Sequence, residues 1–261
     1  MTTFSKPISS IPLMNASSKP ISSLPLWISL LLFGIPSALQ VALAYLGLPL
    51  LHTMGVPLLA QFILFSLPLL GLFVAAFIAY RLEGRPWQWQ ALVERFWLQR
   101  MSPRQWLWSF GLTVFFIVSY IVMAQIPLAT WFDQRFPLPA QVQLMLGDSK
   151  TFAGLPLRGQ WWILGLYLLI FFFNIFGEEL WWRGYIFPRQ ELTHGRWTWI
   201  VHGLLWDAYH VFFMVDMLLL LPGSLALSYV VQKQRNIWPA IIAHGVLNAL
   251  SMIRLISGIL G

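Results

Sequence analysis

The chain contains no cysteine. That excludes a disulfide framework, a thiolate metal site and a cysteine nucleophile together, and it leaves the redox compartment undetermined. Charge is scarce as well: Asp, Glu, Lys and Arg make up 10% of the 261 residues, and only 9 residues are acidic. No run of Lys or Arg is interleaved with aromatics as a nucleic-acid-binding face requires, so the net charge of +7 does not point to nucleic acid. What is abundant is apolar surface. Hydrophobic residues are 58% of the chain and mean hydropathy is +0.71, more than a soluble domain of this length can bury. The composition is that of a membrane protein, with the lipid bilayer as its first partner.

Segments of about 20 apolar residues are long enough to cross hydrocarbon as helices. They run over Leu26–Leu48, Val56–Tyr80, Gln105–Ile126, Trp161–Trp182, Trp197–Phe213, Met214–Val231 and Ile237–Ile259, with a tight turn near Val215 and Asp216. The expected fold is all-α, a polytopic transmembrane helical bundle of about seven spans, six to eight at the limits. Positive residues collect in cytoplasmic loops. With the N-terminus cytoplasmic, 12 of the 16 Lys and Arg fall on that side, five of them between Arg81 and Arg104, while Arg135, Lys150 and Arg158 fall on the other. This orientation puts the end of the Trp161–Trp182 span in the cytoplasmic half.

The N-terminal tail, residues 1–25, repeats "SKPISSIPL" at Ser5 as "SKPISSLPL" at Ser18. A Ser- and Pro-rich repeat without a core reads as disordered. The first apolar span is too long for the apolar region of a signal peptide and is expected to remain as an anchor. Residues 26–160 form an N-terminal transmembrane region. Within it, "WQWQALVERFWLQR" sets Trp89, Leu92, Val93 and Phe96 on one helical face and Gln88, Glu94, Arg95 and Gln99 elsewhere, the pattern of a helix lying on the membrane surface.

Ionisable residues inside spans are costly and mark functional positions. The densest group is "NIFGEELWWRGYIFPRQ", Asn174 to Gln190. On an α-helix Glu179 and Arg183 are four apart and share a face, whereas Glu178 is turned about 100° away. Glu179 is therefore expected to pair with Arg183, leaving Glu178 without a local cation and available as a general base. His210 closes "WDAYH" in the fifth span, and His244 and Asn248 are four apart in the seventh. Polar groups so dispersed in lipid are tolerable only where they converge on one another or on a water-filled cavity. His202, eight residues before His210, is too far along the helix to share one ion with it, and reads as structural.

The succession E-E-x-x-x-R (Glu178, Glu179, Arg183), aromatic-x-x-x-H (Trp206 to His210) and H-x-x-x-N (His244 to Asn248) closely resembles the CPBP intramembrane proteases. These include the type II CAAX prenyl endopeptidases, the Abi proteins of bacteriocin processing and immunity, and relatives of the lysostaphin-resistance protein. The resemblance covers Trp161 to Met252, read as a catalytic core over 161–252, with 253–261 ending the last span. The second motif usually begins with Phe and here begins with Trp206. The resemblance implies hydrolysis of a peptide bond of a membrane-associated or lipidated substrate. Glu178 would activate water, His210 would hold the water or the scissile carbonyl, His244 and Asn248 would stabilise the oxyanion, and Glu179 and Arg183 would fix the geometry. Two readings of the cofactor stand: none, or a zinc ion bound by Glu178, His210 and His244 with water in the fourth position. The lack of an H-E-x-x-H motif favours none. Two other functions keep similar residues. A secondary transporter would use helix breaks, for which Gly34, Pro36 and Pro68 are candidates, and a non-catalytic immunity or scaffold protein would keep the fold without the chemistry.

The orientation is directly testable. A cysteine replacing Gln90, in the Arg81–Arg104 loop, is expected to be shielded from membrane-impermeant thiol reagents in intact cells, and one replacing Asp148 to be labelled. The reverse pattern would invert the topology.

Overall fold

The computed structural model describes residues 20–261. The chain runs through α1 (Leu26–Ala42), a π-helical stretch (Leu43–Gly47), α2 (Leu48–Thr53), α3 (Leu58–Leu82), α4 (Trp89–Arg95), α5 (Pro103–Gln125), α6 (Pro127–Arg135) and α7 (Ala140–Leu146). A short antiparallel hairpin, β1 (Thr151–Phe152) and β2 (Leu155–Pro156), follows. Then come α8 (Trp161–Glu178), a second π-helical stretch (Glu179–Ile186), α9 (Phe187–His194), α10 (Thr198–Tyr209), α11 (Met214–Gln234) and α12 (Trp238–Leu260). Among the described residues, six helical runs are long and apolar enough to cross a membrane: Leu26–Thr53, Leu58–Leu82, Pro103–Gln125, Trp161–Phe212, Met214–Gln234 and Trp238–Leu260. Large side chains on them, among them Leu31, Ile35, Phe110 and Leu169, are exposed, as they are where lipid is the neighbour. This is an all-α, multi-pass integral membrane protein.

Several boundaries differ from the sequence reading. The expected fourth and fifth spans lie in one helical run of 52 residues. Drawn straight it would extend about 78 Å, far beyond the hydrocarbon thickness of about 30 Å. It is interrupted at Gly195, whose φ of +53° ends α9. The next reversal falls at Phe213 rather than at Val215 and Asp216: His210–Phe212 make a 3₁₀ turn, and Asp216 already stands in the first turn of α11. Pro36 and Pro68 do not break their helices, since α1 and α3 continue through them. The feature that would have favoured a transporter is therefore not realised at these positions. Of the N-terminal tail only residues 20–25 are described, so the repeat beginning at Ser5 lies outside the described residues. Ser22 accepts hydrogen bonds from Arg189, and Leu24 is tied by its N–H to the Arg189 carbonyl and by its carbonyl to Thr193.

The helix expected on the membrane surface forms as α4, and Trp89 is exposed on it. Arg95, expected on its polar face, is instead buried. Its guanidinium meets both oxygens of Glu83 at 2.7 Å and donates to the carbonyls of Gly184 (2.9 Å) and Tyr185 (3.3 Å). Pro188, four residues after Gly184, has no N–H to meet the Gly184 carbonyl, and a planar donor fork fits carbonyl oxygens at such a junction. Phe96 lies against Gly184, where a Cβ would strike its ring. The following residues tie the same end of the bundle to the α11–α12 turn, through Ile237 N–H to Trp97, Asn236 to Gln99 and Trp238 to Leu98. We call this the 83–102 end. At the opposite end, Val142, Met145, Phe152 and Leu157 pack with Leu48, Phe62, Ile163, Leu255 and Ile259 into a separate apolar cluster.

Burial alone would raise the Glu83 carboxyl, but the hydrogen bonds and charge of Arg95, with Arg85, outweigh it and hold it below its ordinary 4.5. A depressed carboxyl stabilises the fold above its unfolded value and ceases to do so as pH falls through the folded one. The pair therefore persists at neutral pH. Arg95→Gln leaves Glu83 with Arg85 alone and takes the guanidinium donors from two carbonyls, so it should lower stability by about 1–3 kcal/mol, read as a drop in thermal midpoint in detergent. A midpoint equal to wild type would show that the guanidinium only decorates the surface.

Candidate active site

Glu178 is the last residue of α8, and Glu179 begins the π-helical stretch. Their approach to α3 depends on Gly177, since a Cβ there would overlap the Leu69 backbone carbonyl. Both carboxylates are buried, with relative exposures of 3% and 0%. Adjacent in sequence, they face different partners. Glu179 Oε1 accepts from Arg183 Nη1 at 2.6 Å and lies 2.9 Å from His244 Nδ1. Glu178 Oε2 accepts from the Trp206 indole N–H at 2.9 Å. The expected Glu179–Arg183 pair is present, although the helix carrying it is not a regular α-helix.

Trp206 joins these groups. Arg183 lies over its ring, Cζ 4.1 Å from the centroid, and the rings of His210 and His244 meet it edge-on at 4.8 and 5.4 Å. Among the described residues, Nε and Nη2 of Arg183 have no hydrogen-bond acceptor, so the indole face is what meets the cation, an interaction of about 2 kcal/mol when desolvated. The sequence pattern marked Trp206 only as an aromatic wall. A Phe in its place would keep the ring but give Glu178 no donor.

His210 Nδ1 lies 2.9 Å from the Trp206 backbone carbonyl. A carbonyl only accepts, so Nδ1 carries the hydrogen and neutral His210 presents Nε2 as a bare acceptor. Asn248 Nδ2 donates to the His244 carbonyl at 3.2 Å. Glu178, Trp206, His210, His244 and Asn248, with Asn174, Tyr120 and Asp216, line one cavity of about 490 Å³. Glu179 and Arg183 stand behind its wall. His202 is elsewhere, bonded to Gln190 at 2.7 Å and packed on Phe33 and Phe187; Arg254 donates to the Leu146 carbonyl. Helix α1, which carries no motif, buttresses the site through Phe33 stacked on Trp182 at 4.2 Å and Ser37 bonded to the Tyr209 carbonyl. Among the described residues no three His, Asp or Glu side chains are grouped to hold one metal ion. As placed, Glu178, His210 and His244 do not form the zinc set that one reading requires, and no step below is routed through a metal.

Residues 160–250 match the family model of the type II CAAX prenyl endopeptidase Rce1-like proteins. The matched segment is about a third of the chain. The match starts one residue before α8 and ends inside α12, so the Rce1-like core contains all three motifs and bears out the CPBP resemblance read from them. Neither curated proteins nor solved structures gave a match. A membrane-embedded core of this family is that of a protease, a hydrolase of peptide bonds.

The indole N–H distinguishes this Rce1-like core from one with Phe at the same place. Trp206→Phe removes one hydrogen bond to a carboxylate and is expected to cut kcat about tenfold, the equivalent of one such bond, with a smaller change in KM. An unchanged kcat would mean that the bond does not serve the reaction.

Proposed function

We propose that the chain is an intramembrane endopeptidase that hydrolyses a peptide bond of a membrane-associated or lipidated protein or peptide, with Glu178 as the base that activates water. The observation carrying this reading is the division between adjacent carboxylates. Glu178 faces the cavity beside His210 and His244, while Glu179 behind it is committed to Arg183 and His244. In the reaction, a water oxygen attacks the scissile carbonyl carbon as one of its protons passes to Glu178. His210, with Nε2 as acceptor, orients that water through its other hydrogen. The second amide hydrogen of Asn248 turns toward the oxygen that becomes the oxyanion, and His244, whose Nδ1–H is held by Glu179, joins it through Nε2–H as the imidazolium. Collapse of the tetrahedral intermediate breaks the C–N bond, and Glu178 returns its proton to the departing nitrogen. Glu179 holds both Arg183 and the His244 ring, so it is a positioning residue. The reading also carries a cytoplasmic N-terminus, as the charge bias suggests, and a peptide partner delivered within the bilayer.

The two carboxylates should separate by mutation. Glu178→Gln keeps the shape and cannot take a proton; it is expected to lower turnover by about 10²–10⁴-fold with an unchanged thermal midpoint. Glu179→Gln leaves Arg183 buried without its counter-charge and should destabilise by about 3–5 kcal/mol besides slowing turnover. Wild-type turnover by Glu178→Gln would remove it from the role of base. Chelation tests the cofactor: enzyme purified without added zinc is expected to keep its turnover and to contain well under one metal per chain. Near one zinc per active chain, lost together with activity in His210→Ala or His244→Ala, would replace this mechanism with a metal-assisted one.

A further inference from the structure

Two hollows meet at Tyr229, at the 83–102 end of the bundle. One, of about 670 Å³, is lined by Arg196, Lys233 and Arg235 together with Trp97, Trp199 and Tyr229. The other, of about 420 Å³, is an apolar groove between α5 and α11, in which Leu107, Trp108, Gly111 and Phe115 lead away from Arg104 in the first turn of α5. These positions follow one stripe of α5 for about 16 Å, close to the depth of one leaflet, about 15 Å or half the hydrocarbon core. Gly111 leaves the groove open, with no atom within 4 Å of where a Cβ would stand. Neither hollow shares a lining residue with the cavity at Glu178.

The helices themselves do not call for these cations. Lys233, in the last turn of α11, suits the negative end of its dipole, but Arg196 stands just before α10, where positive charge is unfavourable. Arg235 takes a left-handed backbone (φ +47°) at the end of α11, where glycine is the usual residue. Trp97 does the same (φ +55°), and its ring centroid lies 5.6 Å from the Arg235 guanidinium. Both accept backbone strain to keep a side chain in the hollow. Acid is short there. Glu191, the one carboxylate in the lining, pairs with Arg235 at 3.1 Å, and among the described residues Arg104, Arg196 and Lys233 form no salt bridge. Three cations less one carboxylate leave the hollow with two positive charges in excess, beside an apolar groove one leaflet deep. We propose that this is a binding site for one anionic phospholipid, with its phosphate among Arg196, Lys233 and Arg235, its glycerol at Tyr229 and an acyl chain along α5 and α11. Its head bridges the Trp97 loop, the turn before α10 and the end of α11, so the bound lipid stabilises the fold. The site does not rest on the protease reading.

The test uses the full chain purified in neutral detergent and titrated with phosphatidylglycerol or with phosphatidylcholine of the same acyl chains, retention being read by native mass spectrometry. Phosphatidylglycerol should be held about 25-fold more tightly, about fivefold for each charge in excess, and should raise the thermal midpoint. Arg196→Gln and Lys233→Gln should each weaken it about fivefold and leave phosphatidylcholine unchanged. Arg235→Gly should weaken it too, while the midpoint without lipid holds or rises, because glycine relaxes the left-handed backbone. Gly111→Leu fills the groove and should lower retention of phosphatidylglycerol although all the cations remain. Equal retention of the two lipids, or retention that ignores Arg196→Gln and Lys233→Gln, overturns the site. Indifference to Gly111→Leu overturns the acyl groove. Glycerol phosphate competing as well as the lipid would make the ligand a free phosphate ester and overturn the lipid assignment. Each variant is compared only at a midpoint in lipid-free detergent no lower than wild type, so lost retention reports the site and not lost folding.

Discussion

A single carboxylate oxygen, Oε1 of Glu179, receives both the guanidinium of Arg183 and the ring of His244. It joins the π-helical stretch to α12 where water cannot substitute for either partner. The rest of the site follows by contact. Arg183, fixed by Glu179, lies over Trp206; Trp206 donates to Glu178 and packs against both histidines. Each group in the ring is held by another group in the ring, so no long side chain has to be ordered alone in a medium of low dielectric. Removing one member of such a buried network strands the others, which costs more than the removed contact itself.

The wide turn at Glu179–Ile186 explains how one helix serves two tasks. Through Glu178 the chain is a regular α-helix that lines the cavity; beyond it, the enlarged turn holds Glu179 and Arg183 behind the wall, and its last carbonyls, Gly184 and Tyr185, accept from Arg95. π-helical insertions are uncommon and recur at functional sites. Here the end of the irregular turn is met by a guanidinium from 89 residues before Gly184 in the chain, which couples the loop read from charge as cytoplasmic to the geometry of the carboxylates.

Much of this was legible in the sequence, for identifiable reasons. Apolar runs announce spans because lipid demands them, and a carboxylate pair next to an arginine inside such a run announces a network, because isolated charge is intolerable there. The i,i+4 argument found the Glu179–Arg183 pair and left Glu178 without a local cation; in the structure Glu178 takes the Trp206 N–H. What escaped was of two kinds. The π-helical stretch differs from an α-helix by one residue in its hydrogen-bond register, which hydrophobic periodicity over eight residues cannot resolve. Arg95 sits among Gln and Glu in a short amphipathic segment, and nothing local marks it as inward-facing; its partners, Glu83 and the carbonyls of Gly184 and Tyr185, are set by tertiary packing. Trp206 was noticed as a departure from Phe, but that its N–H reaches Glu178 depends on how α10 is rotated against α8.

The shortness of α10 has a consequence for the membrane itself. With 12 residues in the helix and three in the turn that follows, it rises about 24 Å, less than a hydrocarbon thickness of about 30 Å. Its hairpin partner α11 has 21 residues and rises about 32 Å, so the two share the turn at Phe213, where Phe212 and Phe213 meet Phe65, and the shortfall lies at the other end of α10. That end is continued by the turn Gly195–Trp197 and by α9, so the height α10 lacks is supplied by protein and not by a longer helix, and a bilayer of different thickness would press on that turn first.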